Sequence, residues 1–378
     1  MSDKKNILVI SPWVGRIGPN TFLEGFCSNS LESGLNVTVL YPHKDFLAMK
    51  LSQMGCEIIY VNCLKLNHIT NLYWKYVYRF VTELICLLSF FVVIPRRKYS
   101  FCIVNTEVLS FSLIFLSLFV KISIVVHSLS FEAAGWMTSL VFRLQGSFVS
   151  NYIAVSCAVS KSLKAQGVTK PIHVVYNGLN TISYNCEKPL ERRSVVRVLS
   201  VIHPLRHKGA HHLLNVVKYI VSRDRNVEFS VVGWSNTNGD VDYKLEIEST
   251  VRAAGLSKFI RFKPVSENIQ SEYADADIYL HPSESESFGY VLIEAMVKKL
   301  PVIAFSVGGI PEIVQDGKSG YLIDSFNIID MGEALETLIN DHDQRKKFGD
   351  TGSRIVKEKF ELKENMNLML QILKNEQL

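Results

Sequence analysis

The sequence contains no Cys-x-x-Cys pair. Its seven cysteines, at positions 27, 56, 63, 86, 102, 157 and 186, are odd in number and scattered through apolar runs. That pattern excludes a zinc ribbon or a disulfide framework and reads as reduced core thiols in a cytosolic protein. Long hydrophobic runs are missing too. The longest, Leu84–Ile94 and Val108–Val120, fall short of the ~20 residues that span a bilayer, so no transmembrane helix is expected. Only four apolar residues precede Ser11-Pro12, too few for the core of a signal peptide, and none is expected. A strong charge of one sign is absent: 41 Lys plus Arg face 36 Asp plus Glu, a net of +5, too mild to imply nucleic acid. With 48% hydrophobic and 20% charged residues, the chain is neither disordered nor of low complexity.

What is present is a chain of 378 residues, long enough for two domains of ordinary size. Its charge is uneven. Residues 1–182 hold 16 basic and 8 acidic side chains, and residues 183–378 hold 25 and 28. A basic, greasy first half suits an anionic surface. Within it, Leu72–Lys98 interleaves aromatic residues with Lys75, Arg79, Arg96, Arg97 and Lys98. That mixture suits a membrane interface, and a helix packed on a sheet is the competing reading.

Strand and helix patterns alternate along the chain. Ile7–Ser11 is a buried-strand run, a Gly/Pro-rich loop follows, Asn20 is a candidate cap for a helix over 21–33, and Gly34 suits the helix end. Asn36–Tyr41 is the next strand, and a βαβ unit this short demands a parallel sheet. Further strands are expected at 57–62, 101–105, 122–127, 152–156 and 172–176, which makes one doubly wound domain over 1–182. The polar stretch 179–194 reads as a linker. The alternation then restarts, with strands expected at 195–201, 227–233, 260–263, 277–281, 301–305 and 320–323. A second α/β domain is therefore expected over 183–361, with a binding cleft at the C-terminal ends of both sheets.

The most informative stretch is His281–Asp324. A strand ends near His281, and the following loop carries Glu284 and Glu286. Ser287 is a candidate cap for a helix starting at Phe288. The amides of Phe288, Gly289 and Tyr290 would then point at an anion from the positive end of a helix dipole, a phosphate site in the making. Glu294 lies further along that helix, where a carboxylate can accept hydrogen bonds from vicinal hydroxyls. Spacing alone leaves open a solvated helix start with incidental acids.

Glu286-Ser287-Phe288-Gly289, Glu294-Ala295-Met296, Pro301-Val302-Ile303-Ala304 and Gly308-Gly309-Ile310-Pro311-Glu312 together resemble the signature of glycosyltransferase family 4, the "glycosyl transferases group 1" type. The resemblance implies a GT-B fold: two Rossmann-like doubly wound domains facing a central cleft, the first binding acceptor and the second nucleotide sugar. It also implies a C-terminal helix, about 362–378, that packs back on the first domain. Glu286 would touch the donor sugar and Glu294 the ribose, with Ser287, Phe288, Gly289 and Tyr290 around the diphosphate. Gly18, in Gly15-Arg16-Ile17-Gly18, matches the glycine loop that meets the diphosphate, and His127 the histidine beside the donor sugar. Ser156, Asn177 and Gly178 match structural turns. Leu199–Gly209 is similar to the family's GRLxxxKG segment: Lys208 falls on its lysine, but His203 stands where the arginine belongs, so Arg206 is the candidate second cation. Lys299 stands where the family has a glycine.

The resemblance thus implies a retaining, metal-independent glycosyltransferase of the hexosyl type. Glu286, Lys208, His127 and Arg206 would serve the chemistry, and Gly18, His203, Lys208, Ser287, Phe288, Gly289, Tyr290 and Glu294 would hold the donor. No cofactor and no metal are expected, since no Asp-x-Asp sits at a strand end. The donor is expected to be UDP-linked, and the acceptor a glycan or polyprenyl-linked glycan of bacterial surface polysaccharide or lipopolysaccharide. The expected location is cytoplasmic, peripheral on the inner membrane through its anionic surface. A GT-B sugar-nucleotide epimerase is the alternative. An NAD-dependent oxidoreductase is disfavoured because the Gly15–Gly18 loop lacks a full GxGxxG.

Overall fold

The computed structural model describes residues 6–11, 17–42, 44–61, 99–105, 123–128, 139, 142–144, 146–184, 194–223, 226–236, 239–266, 268–324 and 326–375. The Leu72–Lys98 segment and the Gly15-Arg16 pair lie outside them. The chain divides into two units, Met1–Asn177 with Leu362–Leu378, and Gly178–Glu361. The division falls five residues before the boundary expected after 182. The reason is local: Leu179 N–H donates to the Phe360 carbonyl at 2.9 Å, and the Thr181 hydroxyl donates to Glu361.

In the first unit seven parallel strands form one sheet: β1 (Asn6–Ile10), β2 (Asn36–Tyr41), β3 (Glu57–Tyr60), β4 (Phe101–Val104), β5 (Ser123–Ser128), β6 (Asn151–Ala154) and β7 (Ile172–Val174). Their order is β3-β2-β1-β4-β5-β6-β7. Ile7 pairs with Val37 on one side and Phe101 on the other. Strands buried on both faces need continuous apolar runs, which Ile7–Ile10 and Phe101–Val104 supply. The first helix, Ile17–Glu32, begins four residues earlier than expected, so Asn20 lies inside it rather than capping it. Its Phe22, Leu23, Phe26 and Cys27 enter the core. Gly34 ends it at φ +77°.

The C-terminal helix Leu362–Asn375 shows why it belongs to this unit. Met366, Met369, Leu370 and Leu373 recur at helical spacing and join the same core. A Cβ at Gly25 would lie 2.8 Å from Leu362 Cδ1, so glycine lets the two helices approach.

The second unit repeats the plan with six parallel strands: β8 (Val196–Val201), β9 (Val227–Val232), β10 (Ile260–Lys263), β11 (Ile278–His281), β12 (Val302–Phe305) and β13 (Gly320–Ile323). Their order is β10-β9-β8-β11-β12-β13. In both sheets the order reverses beside the first strand, at β1/β4 and at β8/β11. Loops leaving such a pair diverge and open a crevice at the strands' carboxyl ends. Among the described residues no helix is long and apolar enough to cross a membrane.

Candidate functional site

In the second unit, β8 runs into the short turn Arg206–Lys208, and β11 into the loop that carries Glu284 and Glu286. Gly209 closes the turn at φ +73°, and a Cβ there would lie 1.9 Å from the Pro282 carbonyl oxygen. Only glycine permits this approach. The two loops are further joined by Glu284 N–H donating to the His207 carbonyl at 2.9 Å. Gly309 props the second loop from below: its N–H donates to the Glu286 carbonyl at 2.9 Å, and a Cβ would lie 2.5 Å from Ser287 O.

This packing sets Lys208 Nζ 2.8 Å from Glu286 Oε2, with the side chains 24% and 13% exposed. His281 Nε2 lies 3.5 Å from the same oxygen. Burial alone would raise the Glu286 carboxyl, but the Lys208 ammonium and the His281 ring outweigh it and hold the group at about 2. Burial pushes His281 down, against the pull of Glu286. Glu286 is therefore an ionised carboxylate with a cation already beside it.

The helix after this loop is Tyr290–Val297, and its N-cap is Gly289 at φ +111°. Sequence reasoning expects Ser287 as cap and a start at Phe288. Phe288 instead is buried, with its ring 5.7 Å from that of Phe360, and core packing delays the helix by two residues. The positive helix end moves with it, to Gly289 and Tyr290. Glu294, further along, accepts from Tyr184 Oη at 3.1 Å and Tyr273 Oη at 2.9 Å. Burial raises its carboxyl, and the two hydroxyls hold it back.

The other expected cations are turned elsewhere. Arg206 pairs with Glu246 at 2.9 Å, 64% exposed, and lies over the Tyr243 ring at 4.8 Å. His203 Nδ1 is 3.1 Å from the Gly233 carbonyl, and burial lowers its pKa, with Lys208 adding to the effect against the Gly233 contact. Sequence reasoning missed His281, Tyr184 and Tyr273. Tyr184 sits in the stretch read as a linker, and no spacing marks the other two.

The β1/β4 switch of the first unit is built differently. His127 Nδ1 donates to Asn105 Oδ1 at 2.9 Å, and Asn105 Nδ2 donates to Ser11 Oγ at 3.2 Å. All three are buried, and the His127 ring stacks on Phe22 at 3.8 Å. Burial brings His127 down to about 3, so it is neutral. Gly18 lies in the first turn of the helix Ile17–Glu32, and Ser156 caps the helix Cys157–Ala165 by accepting from Val159 N–H.

Residues 187–354 match the family described as glycosyl transferases, group 1. The matched residues include Lys208, Glu286 and Glu294, and Tyr184, which holds Glu294, lies just before them. The chain is also similar to D-inositol 3-phosphate glycosyltransferase of Corynebacterium diphtheriae, 34% identical over 145 residues, which are 38% of this chain and 34% of that protein. It is 31% identical over 156 residues to the capsular polysaccharide biosynthesis glycosyltransferase CapM of Staphylococcus aureus, 41% of this chain and 40% of CapM. The matches thus span about a third to two fifths of these relatives' length. In fold, it resembles Anabaena HepE in complex with UDP and glucose, at a TM-score of 0.78 and 19% identity over 97% of this chain and 99% of that one. Two parallel-sheet Rossmann-like units in this order make the GT-B fold.

Proposed function

We propose that the chain is a retaining glycosyltransferase that moves a hexose from a nucleotide-sugar donor to a hydroxyl of a glycan or lipid-linked glycan. The observation that carries this reading is the Lys208–Glu286 pair at the β8/β11 switch, inside the group 1 domain. Lys208 has three N–H donors and gives one to Glu286, which leaves two for diphosphate oxygens. Glu286, ionised, accepts from hydroxyls of the donor sugar. Glu294 keeps lone pairs beyond those that its tyrosines use, and these suit the ribose hydroxyls. Departure of the diphosphate leaves an oxocarbenium-like sugar. The acceptor oxygen attacks on the same face and passes its proton to the leaving phosphate, so the anomeric configuration is kept. Lys208 and the amides at the Tyr290 helix start meet the leaving charge without a divalent ion.

A UDP-linked donor is supported by the UDP in the HepE complex, and a role in surface polysaccharide by the similarity to CapM. Gly18 is proposed to serve the donor, and His127 can join it only by opening the buried cluster with Asn105 and Phe22. Arg206 can join at the diphosphate only by leaving Glu246. A lipid-linked acceptor would hold the enzyme on the cytoplasmic face of the membrane through residues 72–98, without a cofactor.

The test is incubation with UDP-, GDP- and ADP-sugars, following nucleoside diphosphate release and the product's proton NMR spectrum. Release with one donor and a product anomer matching it are expected, and Glu286→Gln should slow turnover strongly without trapping a glycosyl-enzyme. An inverted linkage, or activity lost in EDTA and restored by manganese, would overturn the mechanism.

A further inference from the structure

We infer that His211, His212 and Glu284 form a binding site for one zinc-like divalent transition-metal ion. Outside the donor residues, this is the group of His, Cys, Asp and Glu side chains, among the described residues, whose ligand atoms converge, all within 4.8 Å of one another. His211 Nε2 lies 3.0 Å and His212 Nε2 2.9 Å from the same oxygen, Glu284 Oε1. Tetrahedral zinc with bonds of ~2.0–2.1 Å sets its ligand atoms ~3.3 Å apart. For an ion to enter, the two nitrogen-to-oxygen spacings open by a few tenths of an ångström, while the two imidazole nitrogens, within 4.8 Å of each other, adjust toward the same spacing by rotamer changes.

The chemistry of the set selects the metal. Two imidazoles and one carboxylate favour zinc, cobalt or nickel over magnesium or calcium, which take oxygen ligands. Outer support is present. Tyr243 Oη lies 2.7 Å from His211 Nδ1 and accepts the His211 backbone N–H at 3.1 Å, so it can also accept a hydrogen bond from Nδ1–H, which leaves the Nε2 lone pair as the ligand. His212 is held in orientation by Phe326, stacked at 5.8 Å, and by Phe305 at 5.2 Å. The three side chains are 29%, 16% and 34% exposed, so an ion reaches them from solvent and a fourth position stays open to water.

The position gives the site a use. His211 and His212 begin the helix Ala210–Val221, immediately after the Lys208-Gly209 turn, and Glu284 lies two residues before Glu286. An ion here ties the loop after β8 to the loop after β11, the two segments that carry the Lys208–Glu286 pair. It acts as a clamp on that pair and need not touch the donor.

The test uses the full, untagged chain, stripped with chelator and titrated with Co²⁺, then with Zn²⁺, without any sugar nucleotide. The inference predicts one equivalent of cobalt with the intense visible absorption of a four-coordinate ion, displaced by zinc, and a higher melting temperature in zinc. Glu284→Gln and His212→Ala should each weaken binding on the order of 100-fold, and Tyr243→Phe about tenfold. His212 and Glu284 are partly exposed, and Tyr243→Phe keeps the buried ring, so none of these changes empties the core, and a native circular dichroism spectrum checks the fold. Absence of the cobalt band in the wild type, or a band unchanged in the Glu284→Gln/His212→Ala double variant, would overturn it. Because no donor is present, the outcome is separate from that of the transfer reading.

Discussion

At the point where strand order reverses, the first unit places Ser11, Asn105 and His127, and the second places Lys208, His281 and Glu286. The sheets share a winding, yet one switch point is sealed and neutral, and the other is charged and open to solvent. In the first, a chain of neutral hydrogen bonds satisfies every member it links, and burial keeps the histidine uncharged. In the second, a carboxylate stays ionised under burial because an ammonium lies 2.8 Å away. Topology fixes where a crevice can open, and side chains decide whether that crevice can handle a phosphate.

The sharpest way to break this comparison is at the glycines. Gly209→Ala drives a Cβ into the Pro282 carbonyl and should cost the second unit about 4 kcal/mol or more. Gly34→Ala in the first unit has the same sign of φ, with nothing within 4 Å, and should cost about 1–2 kcal/mol. Urea unfolding of both variants checks it, and equal losses would deny that the two site loops touch through Gly209.

Acid comes next. The unfolded chain protonates His127 below pH 6.5, while the folded chain resists until about 3. The unfolded state thus binds more protons in this window, and stability falls as the pH drops through it. From pH 7 to pH 4 this one group should remove about 3 kcal/mol. His127→Gln should flatten the pH dependence of the urea midpoint, and parallel curves for the two proteins would reject the assignment.

Removing one charge from the open switch point is a smaller step. Lys208→Met leaves Glu286 without its ammonium and should cost about 2–3 kcal/mol, less than a fully buried pair because Lys208 is 24% exposed. Ser11→Ala removes one neutral bond from the sealed cluster and should cost about 1 kcal/mol. If calorimetry gave Ser11→Ala the larger loss, the contrast between the clusters would be reversed.

The smallest effect concerns helix ends. Gly34 closes a helix of the first unit with a left-handed residue, and the second unit uses Lys299 at φ +60°. Lys299→Gly relieves that strain but gives up the 2.8 Å contact with Asp350, a surface pair worth little. A net gain of about 0.5–1 kcal/mol is expected. A loss in thermal unfolding would show that the ion pair matters more than the backbone.

The strands were legible because fully buried parallel strands must be continuous apolar runs. Asn36–Tyr41 has the bounds that the pattern implies, and the partly exposed edge strands Ile260–Lys263 and Gly320–Ile323 also run over the expected residues. Helix starts were not: Asn20 and Ser287 are good caps by type, but packing of Phe22 and Phe288 into their cores sets the true starts. The Glu286 and Glu294 spacing was legible because it lies along one continuous segment. Arg206 was a reasonable cation by position, and its pairing with Glu246, 40 residues away, leaves no local trace.

By itself, then, the chain's order of residues determined the two α/β units, the glycine of the Lys208-Gly209 turn and the carboxylates of the second switch point. These follow from hydrophobic period and from local backbone geometry, which neighbours in sequence dictate. Tertiary structure alone decided that Lys208 meets Glu286, that Tyr184 and Tyr273 hold Glu294, and that His211 and His212 converge on Glu284. It also decided that His127 is sealed in a neutral cluster. Each of these joins segments 70 or more residues apart or depends on burial, except the Tyr273–Glu294 contact across 21. Desolvation and long-range contacts exist only once the sheets have formed.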